Sequence, residues 1–440
     1  MPSRLPRELL GLRVSNWATL AIFAVALIAF GSRLKLSRSD PNRLVFAHTF
    51  TTESERAILA QAVAEFEASH PGVRLEQIVV NSEVYNSVGW RIQFQGRQQP
   101  DLYFHWQGYK VRQCIARGWA LDLRPYLSPG FLDQFVPTAI QEQEGGIYLL
   151  PHSIDVCNLV WFNRDLFARL KVSPPTRFEE WMTMCQQIRR NDVLPLAQGN
   201  RDLWPMGNFA AELVGQALGR AGTDELFESG ANVETKTAPA LRSLEIMHTN
   251  GCFDLRGVLD PGAIGQLSDI DAKVLFLGGK SGMHILGAWF LADINDAKEK
   301  GELKFEVGLF PVPPAAGQTD AMAAVTTGFL VNPHTANPRA AVEFLELLLS
   351  RKYQAEFAKL GALSARRDAR DFTQNPLAQQ MLEALANAAV IVPPPDTGYR
   401  PDQANAFYEV VARLLSGRLN IRDAGVWWEE QKQALAQKGL

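Results

Sequence analysis

The sequence is poor in the features that announce chemistry. Its 440 residues hold four cysteines, Cys114, Cys157, Cys185 and Cys252, and no two form a C-x-x-C pair, so spacing gives no support to a metal site or a dithiol centre. The patterns H-E-x-x-H, G-x-S-x-G and the calcium-binding loop are missing, which removes the common metalloprotease, serine-hydrolase and EF-hand readings. Gly279-Lys280-Ser281 looks like the end of a phosphate-binding loop, but that motif needs a glycine where Val274 stands. Glycoside hydrolysis requires two carboxyls at a set separation, and nothing in the order of the 47 acids singles out a pair. No catalytic residue, metal or cofactor is therefore expected. Internal repeats and low-complexity tracts are also absent. Net positive charge is confined to the leader: residues 1–43 carry +5 and residues 44–440 carry −8, which argues against nucleic acid as the main partner.

What is present is a large apolar complement, 47% of residues, with 21% charged. That balance belongs to a globular chain with large cores, and the length suggests two or three compact units. Arg4, Arg7 and Arg13 precede a charge-free run from Val14 to Ser32, the pattern of an export signal or a short membrane anchor over residues 1–43. The run is near the lower limit for spanning a bilayer, and no cysteine follows it to carry a lipid. A periplasmic or extracytoplasmic location is expected, with tethering by an uncleaved leader as the alternative. Disulfides are permitted there, but a core of this size does not need them, so buried free thiols are expected.

Beyond the leader, residues 44–48, 73–80 and 100–104 read as strands, separated by a helix from Glu55 to Ser69 that His70-Pro71-Gly72 stops. Strand–helix alternation is the signature of a parallel sheet covered by helices. Ligands of such sheets bind beyond the carboxyl ends of the strands, which points to His48 to Thr52, to Asn81 to Glu83, and to His105 to Gln107 together. Between the apolar runs Ile147–Leu150 and Val156–Phe162 lie His152, Ser153, Asp155 and Asn158, polar groups that read as facing a cleft at a crossover between lobes. Thr176 reads as a helix N-cap with Glu179 completing a capping box. Trp106, Trp204 and Trp289 each fall at the end of an expected element, Trp204 within a loop. A rigid indole covers the apolar face of a sugar ring at little entropic cost, while the ring's hydroxyls demand Asp, Asn, Gln and His partners.

The order of motifs resembles the extracellular solute-binding proteins of ABC importers, in their carbohydrate-binding, maltose-binding-protein-like group. Phe66-Glu67-Ala68-Ser69-His70-Pro71-Gly72-Val73 is similar to the family's "F-E-x-x-x-P-G-V", and Pro100-Asp101-Leu102 to its "P-D-V". Tyr148-Leu149-Leu150-Pro151 followed by Phe162-Asn163-Arg164-Asp165-Leu166-Phe167 resembles "Y-x-x-P…Y-N-K-D-L-F". The stretch from Phe276 to Trp289 resembles "F-x-x-G-K-A-A-M-x-x-x-G-P-W", with Gly282 and Ala288 as departures.

The resemblance implies an α/β, two-lobed periplasmic-binding-protein fold, each lobe a mostly parallel sheet flanked by helices, joined by crossover hinges. Residues 44–148 plus 306–350 would form the first lobe, and 149–305 plus 351–440 the second. It implies a monomer that binds a sugar, an oligosaccharide, between the lobes and delivers it to the membrane permease subunits of an ABC importer. Asp155 stands where the resemblance places a hydroxyl-binding acid. His48 stands where many relatives carry Trp, so hydrogen bonding replaces stacking there. The full set of expected ligand contacts is His48, Thr49, Asn81, His105, Trp106, Asp155, Asn158, Trp204, Trp289, Thr327 and Tyr399. An exported glycosidase or polysaccharide lyase, or a sugar sensor not coupled to transport, are the competing readings.

Overall fold

The computed structural model describes residues 40–96, 99–229, 233–253 and 267–437, so all of the expected leader except residues 40–43 lies outside them. Among the described residues no helix is long and apolar enough to cross a membrane. In chain order the strands are β1 (Arg43–His48), β2 (Arg74–Val79), β3 (Leu102–Trp106), β4 (Glu142–Gln143), β5 (Gly146–Ile147), β6 (Leu150–Val156), β7 (Leu159–Asn163), β8 (Leu194–Ala197), β9 (Ser281–Leu286), β10 (Val307–Pro311), β11 (Ala321–Val331) and β12 (Val390–Val392).

They form two main sheets. One has the order β12-β11-β3-β1-β2 with β6 also on β11, the other β10-β7-β9-β8, and β4 and β5 make a small ribbon. The expected α/β two-lobed class holds, but the sheets are mixed rather than mostly parallel. β1 pairs in parallel with β2 and β3, whereas β11 runs antiparallel to β3 and β6, and β7 runs antiparallel to β9 and β10. The reason is connectivity: β6, β7, β10 and β11 enter their sheets by passing from one lobe to the other, so no helical crossover forces them parallel.

Sheet membership changes at residues 157–158, between β6 and β7, and at 312–320, between β10 and β11. Both points fall later than the expected boundaries at 148/149 and 305/306, so β6 belongs with the first sheet and β10 with the second. The helix Arg351–Lys359 also differs from expectation, since Tyr353 and Phe357 pack in the core of the first lobe.

Local chemistry explains the elements. Thr52 caps the helix Glu53–Ser69 and Glu55 returns the bond, a complete capping box, while Leu59, Ala62 and Phe66 bury one face. Burying Leu59 or Phe66 contributes roughly 1.5–3 kcal/mol each. Phe46 meets Phe329 and Phe344 edge-on at 5.2 and 5.7 Å, tying strands and helix into one core. The Thr176–Glu179 box does not form: the helix begins at Phe178, and Thr176 donates from its backbone N and hydroxyl to Glu180 at 3.1 and 3.3 Å. Glu179 instead accepts from the Ala316 backbone at 3.2 Å.

The second lobe centres on Trp181, Phe209, Phe407 and Trp428, all without solvent contact. Trp204 is not in a loop but opens the helix Trp204–Asp224. At Gly207 on this helix a Cβ atom would sit 2.0 Å from the Tyr408 ring, so only glycine permits that approach. All four cysteines are buried and unpaired, as expected.

Candidate functional site

A cavity of about 320 Å³ lies where β6, β11 and the first turn of the helix Trp204–Asp224 meet segments of both lobes. Its size falls at the lower end of small-molecule sites. Its floor is a chain of hydroxyls ending in an acid. Ser153 Oγ lies 3.0 Å from Asp155 Oδ1 and 2.7 Å from Thr327 Oγ1. A serine has one hydroxyl proton, so Ser153 donates to the carboxylate and accepts from Thr327. Register sets this up, because Ser153 faces Thr327 across the β6–β11 pair. Burial pushes the Asp155 carboxyl up to about 6, with the Ser153 hydroxyl opposing the shift. Asp155 Oδ2 has no protein partner among the described residues and is left to the cavity.

Two potential donors line the same cavity. His152 is 4% exposed and lines the cavity. Its Nδ1 lies 2.9 Å from Gln354 Nε2, and its burial holds the ring neutral, with a pKa lowered to about 4. Asn208 is 5% exposed, and its Oδ1 accepts from the Tyr408 hydroxyl at 2.5 Å. That bond leaves the Asn208 NH₂ group turned to the cavity, which the residue also lines.

Aromatic rings enclose the rest. Trp106 stands edge-on to Phe104 at 4.9 Å, with Lys110 Nζ over its face at 4.4 Å. Trp204 and Trp289 lie 6.2 Å apart at 51°. Phe50 and Phe357 complete the apolar wall. At the rim Lys110 donates to Asn86 Oδ1, and Asn86 Nδ2 reaches Asp396 Oδ2 at 3.3 Å, a contact between the first lobe and the segment Pro395–Gly398. Glu55, Asp155 and Asp396 line the cavity, and among the described residues no Lys or Arg is in the lining itself.

The structure therefore gathers Thr49, Trp106, Asp155, Trp204, Trp289 and Thr327 from the expected set. The other five lie outside the lining, each for a visible reason. His48 is enclosed in the first lobe, with Nδ1 accepting from Phe50 N and Nε2 beside Gln77 Oε1, both at 3.2 Å. His105 has no solvent contact and sits 4.8 Å from the Trp90 ring. Asn81 is exposed and its carbonyl accepts from Tyr85 N at 2.8 Å. Asn158 is buried behind the cavity, donating to the Glu212 carboxyl at 3.0 Å and the Asn208 carbonyl at 3.1 Å. Tyr399 stacks on Phe227 at 4.6 Å and donates to Asp224.

Residues the expected set lacked include His152, Ser153, Asn208 and Asp396. The first two were legible as polar groups between apolar runs. Asn208 and Asp396 lie in or beside helices, where nothing local marks them.

Among the described residues no group of His, Cys, Asp and Glu could hold a metal ion. What the arrangement can do is enclose a polyhydroxylated molecule: one open carboxylate oxygen, two inward N–H donors and several ring faces.

This fold and cleft define a two-lobed binding protein of the α/β class. The chain belongs to the family of bacterial extracellular solute-binding proteins, whose model matches residues 51–355. The family consists of binding proteins that serve ABC importers outside the cytoplasm. Among relatives, a probable sugar-binding periplasmic protein of Mesorhizobium japonicum is 22% identical over 330 residues, 72% of this chain and 76% of its own. A chitin oligosaccharide binding protein matches in structure with TM-score 0.74 and 20% identity, covering 90% of this chain and 100% of its own. The maltose/maltodextrin-binding domain MalE from Bdellovibrio bacteriovorus, bound to maltotriose, matches with TM-score 0.68 and 21% identity, again over 90% of this chain and 100% of its own.

Proposed function

We propose that this protein binds a neutral sugar, a short oligosaccharide, in the cavity between its lobes, and that closure of the lobes presents the loaded protein to the permease subunits of an ABC importer. The observation that carries this reading is the Asp155 carboxylate, open to the cavity beside the inward N–H groups of His152 and Asn208 and under Trp106, Trp204 and Trp289. A sugar hydroxyl both donates and accepts, so it satisfies such mixed partners, and its C–H faces suit indoles. Sugar-binding relatives of the same fold support the same class of ligand. Among the described residues the lining has three acids against Lys110 at the rim, a balance that disfavours acidic sugars by like-charge repulsion. The protein acts as a monomer without nucleic acid and without turning its ligand over, and any retention of the leader would tether it to the membrane.

A thermal-shift screen tests this directly, because a ligand that binds only the folded state raises the melting temperature. Maltotriose, chitotriose and xylotriose are the neutral probes and trigalacturonate the acidic one. At least one neutral trisaccharide is expected to raise Tm and be recovered intact. A shift with trigalacturonate alone, or hydrolysis of the bound sugar, contradicts the proposal.

Gly287 offers a gentler probe. A Cβ atom there would lie 2.1 Å from the Trp289 ring, and Trp289, 39% exposed, has room to swing away. Gly287→Ala is therefore expected to leave Tm of the free protein within a degree or two, roughly the effect of a few tenths of a kcal/mol. Affinity for the bound trisaccharide should fall up to about tenfold, the loss of one aromatic contact. Thermal denaturation checks the first and calorimetric titration the second.

A further inference from the structure

We infer that His152 is a ligand-binding residue locked as an Nε2–H donor, and that Gln354 and Ser364 are the positioning residues that lock it. The ligand half of this inference rests on the sugar reading above; the tautomer half does not.

The chain of hydrogen bonds starts at Ser364. Its Oγ donates to Gln354 Oε1 at 2.8 Å, and it accepts from the Arg366 backbone N at 3.3 Å. The Leu348 carbonyl, which can only accept, lies 3.4 Å from the other end of the Gln354 amide and so identifies that end as the NH₂ group. The NH₂ end then faces His152 Nδ1 at 2.9 Å. Gln354 is 1% exposed and Ser364 4% exposed, so water does not compete for these bonds. An imidazole nitrogen that receives an N–H must be the unprotonated one, so the neutral ring carries its proton on Nε2. The ring plane is held as well. Phe50, Phe329 and Phe357 surround it at centroid distances of 5.5, 5.5 and 4.9 Å, and the His152 carbonyl accepts from Ala365 N at 3.2 Å. With Nδ1 occupied and three sides closed by phenyl rings, the Nε2–H is left facing the cavity that the residue lines.

This gives the site a donor that cannot accept, opposite an Asp155 oxygen that cannot donate when ionised. Between them they fix the sense in which one ligand hydroxyl group sits: it accepts from His152 while a neighbouring one donates to Asp155. A site built to hydrogen-bond a hydroxyl discriminates sharply against the analogue lacking it, because the buried partner is then left unpaired.

The test is nitrogen NMR on the full chain labelled at its histidines, with His152→Leu assigning the resonance. The free wild-type protein should show one neutral tautomer at pH 7, with Nε2 protonated and Nδ1 not. Any trisaccharide of the neutral set that raises Tm should move the Nε2 resonance. Gln354→Leu should convert the single tautomer into a mixture and weaken that sugar about 2- to 13-fold, the worth of one buried hydrogen bond; Gln354→Asn should not restore either property, because its amide is a methylene shorter. A His152 ring protonated on Nδ1 overturns the inference. So does an unchanged tautomer with unchanged affinity in Gln354→Leu, or an Nε2 resonance that a bound sugar does not move. If no trisaccharide binds, the sugar reading falls, while the spectrum of the free protein still decides the tautomer.

Discussion

Replacing Asp155 with Asn should weaken trisaccharide binding by about 10- to 100-fold and flatten its pH dependence. A hydrogen bond to a charged group contributes roughly 1.5–3 kcal/mol, and removing the charge forfeits that on a buried ligand. The amide also fits its surroundings poorly. With Ser153 donating to the amide carbonyl as it does to Oδ1, a neutral NH₂ group stands in the cavity where the charged acceptor stood. The free carboxyl titrates at about 6 because burial disfavours its charge. Ligand hydroxyls favour the ionised form, so wild-type affinity should be constant above about pH 7 and fall as pH drops through 6. His152, neutral down to about 4, does not change charge in that window. Calorimetric titrations at pH 5, 6 and 7.5 separate the two proteins: a falling wild-type curve and a flat, weak variant curve are expected. Equal pH dependence in both would remove Asp155 from the site.

The second large effect lies behind the cavity. Glu212, on the helix Trp204–Asp224, accepts from Asn158 Nδ2 at 3.0 Å and from Ala323 N at 2.8 Å. Asn158 lies in the first passage between lobes and Ala323 just beyond the second, so one buried carboxyl holds both. Burial pushes Glu212 up to about 8, with the nearby charge of Asp320 adding to the shift and the two donors opposing it. An acid whose folded pKa exceeds its unfolded value binds its proton more tightly when folded. Its penalty is absent below the unfolded value near 4.5 and grows as pH rises toward 8. At pH 7 this amounts to an upper bound on the order of 3 kcal/mol. Glu212→Gln keeps an acceptor and stays neutral, so it should match the wild type in stability near pH 4.5 and exceed it at pH 7–8. Glu212→Leu should destabilise by about 2–5 kcal/mol near pH 4.5, because two buried donors lose their acceptor, and by less at pH 7–8, where it too is free of the buried charge. Urea denaturation across pH 4.5–8 checks the divergence, and parallel curves for wild type and the Gln variant would refute the assignment.

The sequence carried the fold further than the site. The apolar spacing of Leu59, Ala62 and Phe66 and the turn at His70-Pro71-Gly72 are local signals, and they produced the expected helix and strands, whereas the capping box at Thr52, which starts that helix at Glu53, was not among the expectations. Asp155 was legible as a polar group between two apolar runs at a crossover, although β6 runs through Pro151 rather than ending there, against the expectation that a central strand would not continue through a proline. The rule that ligands sit beyond strand ends found Thr49 and Trp106, but it could not say which neighbour turns inward. Successive strand residues face opposite sides, so His48 and His105 went into the core while Thr49 and Trp106 faced the cavity. Asn208 was not legible at all. It faces the cavity because Gly207 lets Tyr408 approach, and Tyr408 is 200 residues away. The partners of Asn158 and His152, Glu212 and Gln354, are likewise 54 and 202 residues distant, and pairwise spacing carries no record of such contacts. The mixed sheets were missed for the same reason: strand direction at a lobe crossing depends on where the chain returns, not on local pattern.

Everything proposed about function depends on a neutral sugar binding among Asp155, His152, Asn208 and the three tryptophans. Tryptophan fluorescence during titration with the trisaccharide that raises Tm, run in parallel on the wild type and Asp155→Asn at pH 7.5, reads this out at the site itself. The wild type should show saturable quenching, and the variant a midpoint shifted about 10- to 100-fold higher. Superimposable titrations, or a sugar that binds without altering the fluorescence of either protein, would rule the site out.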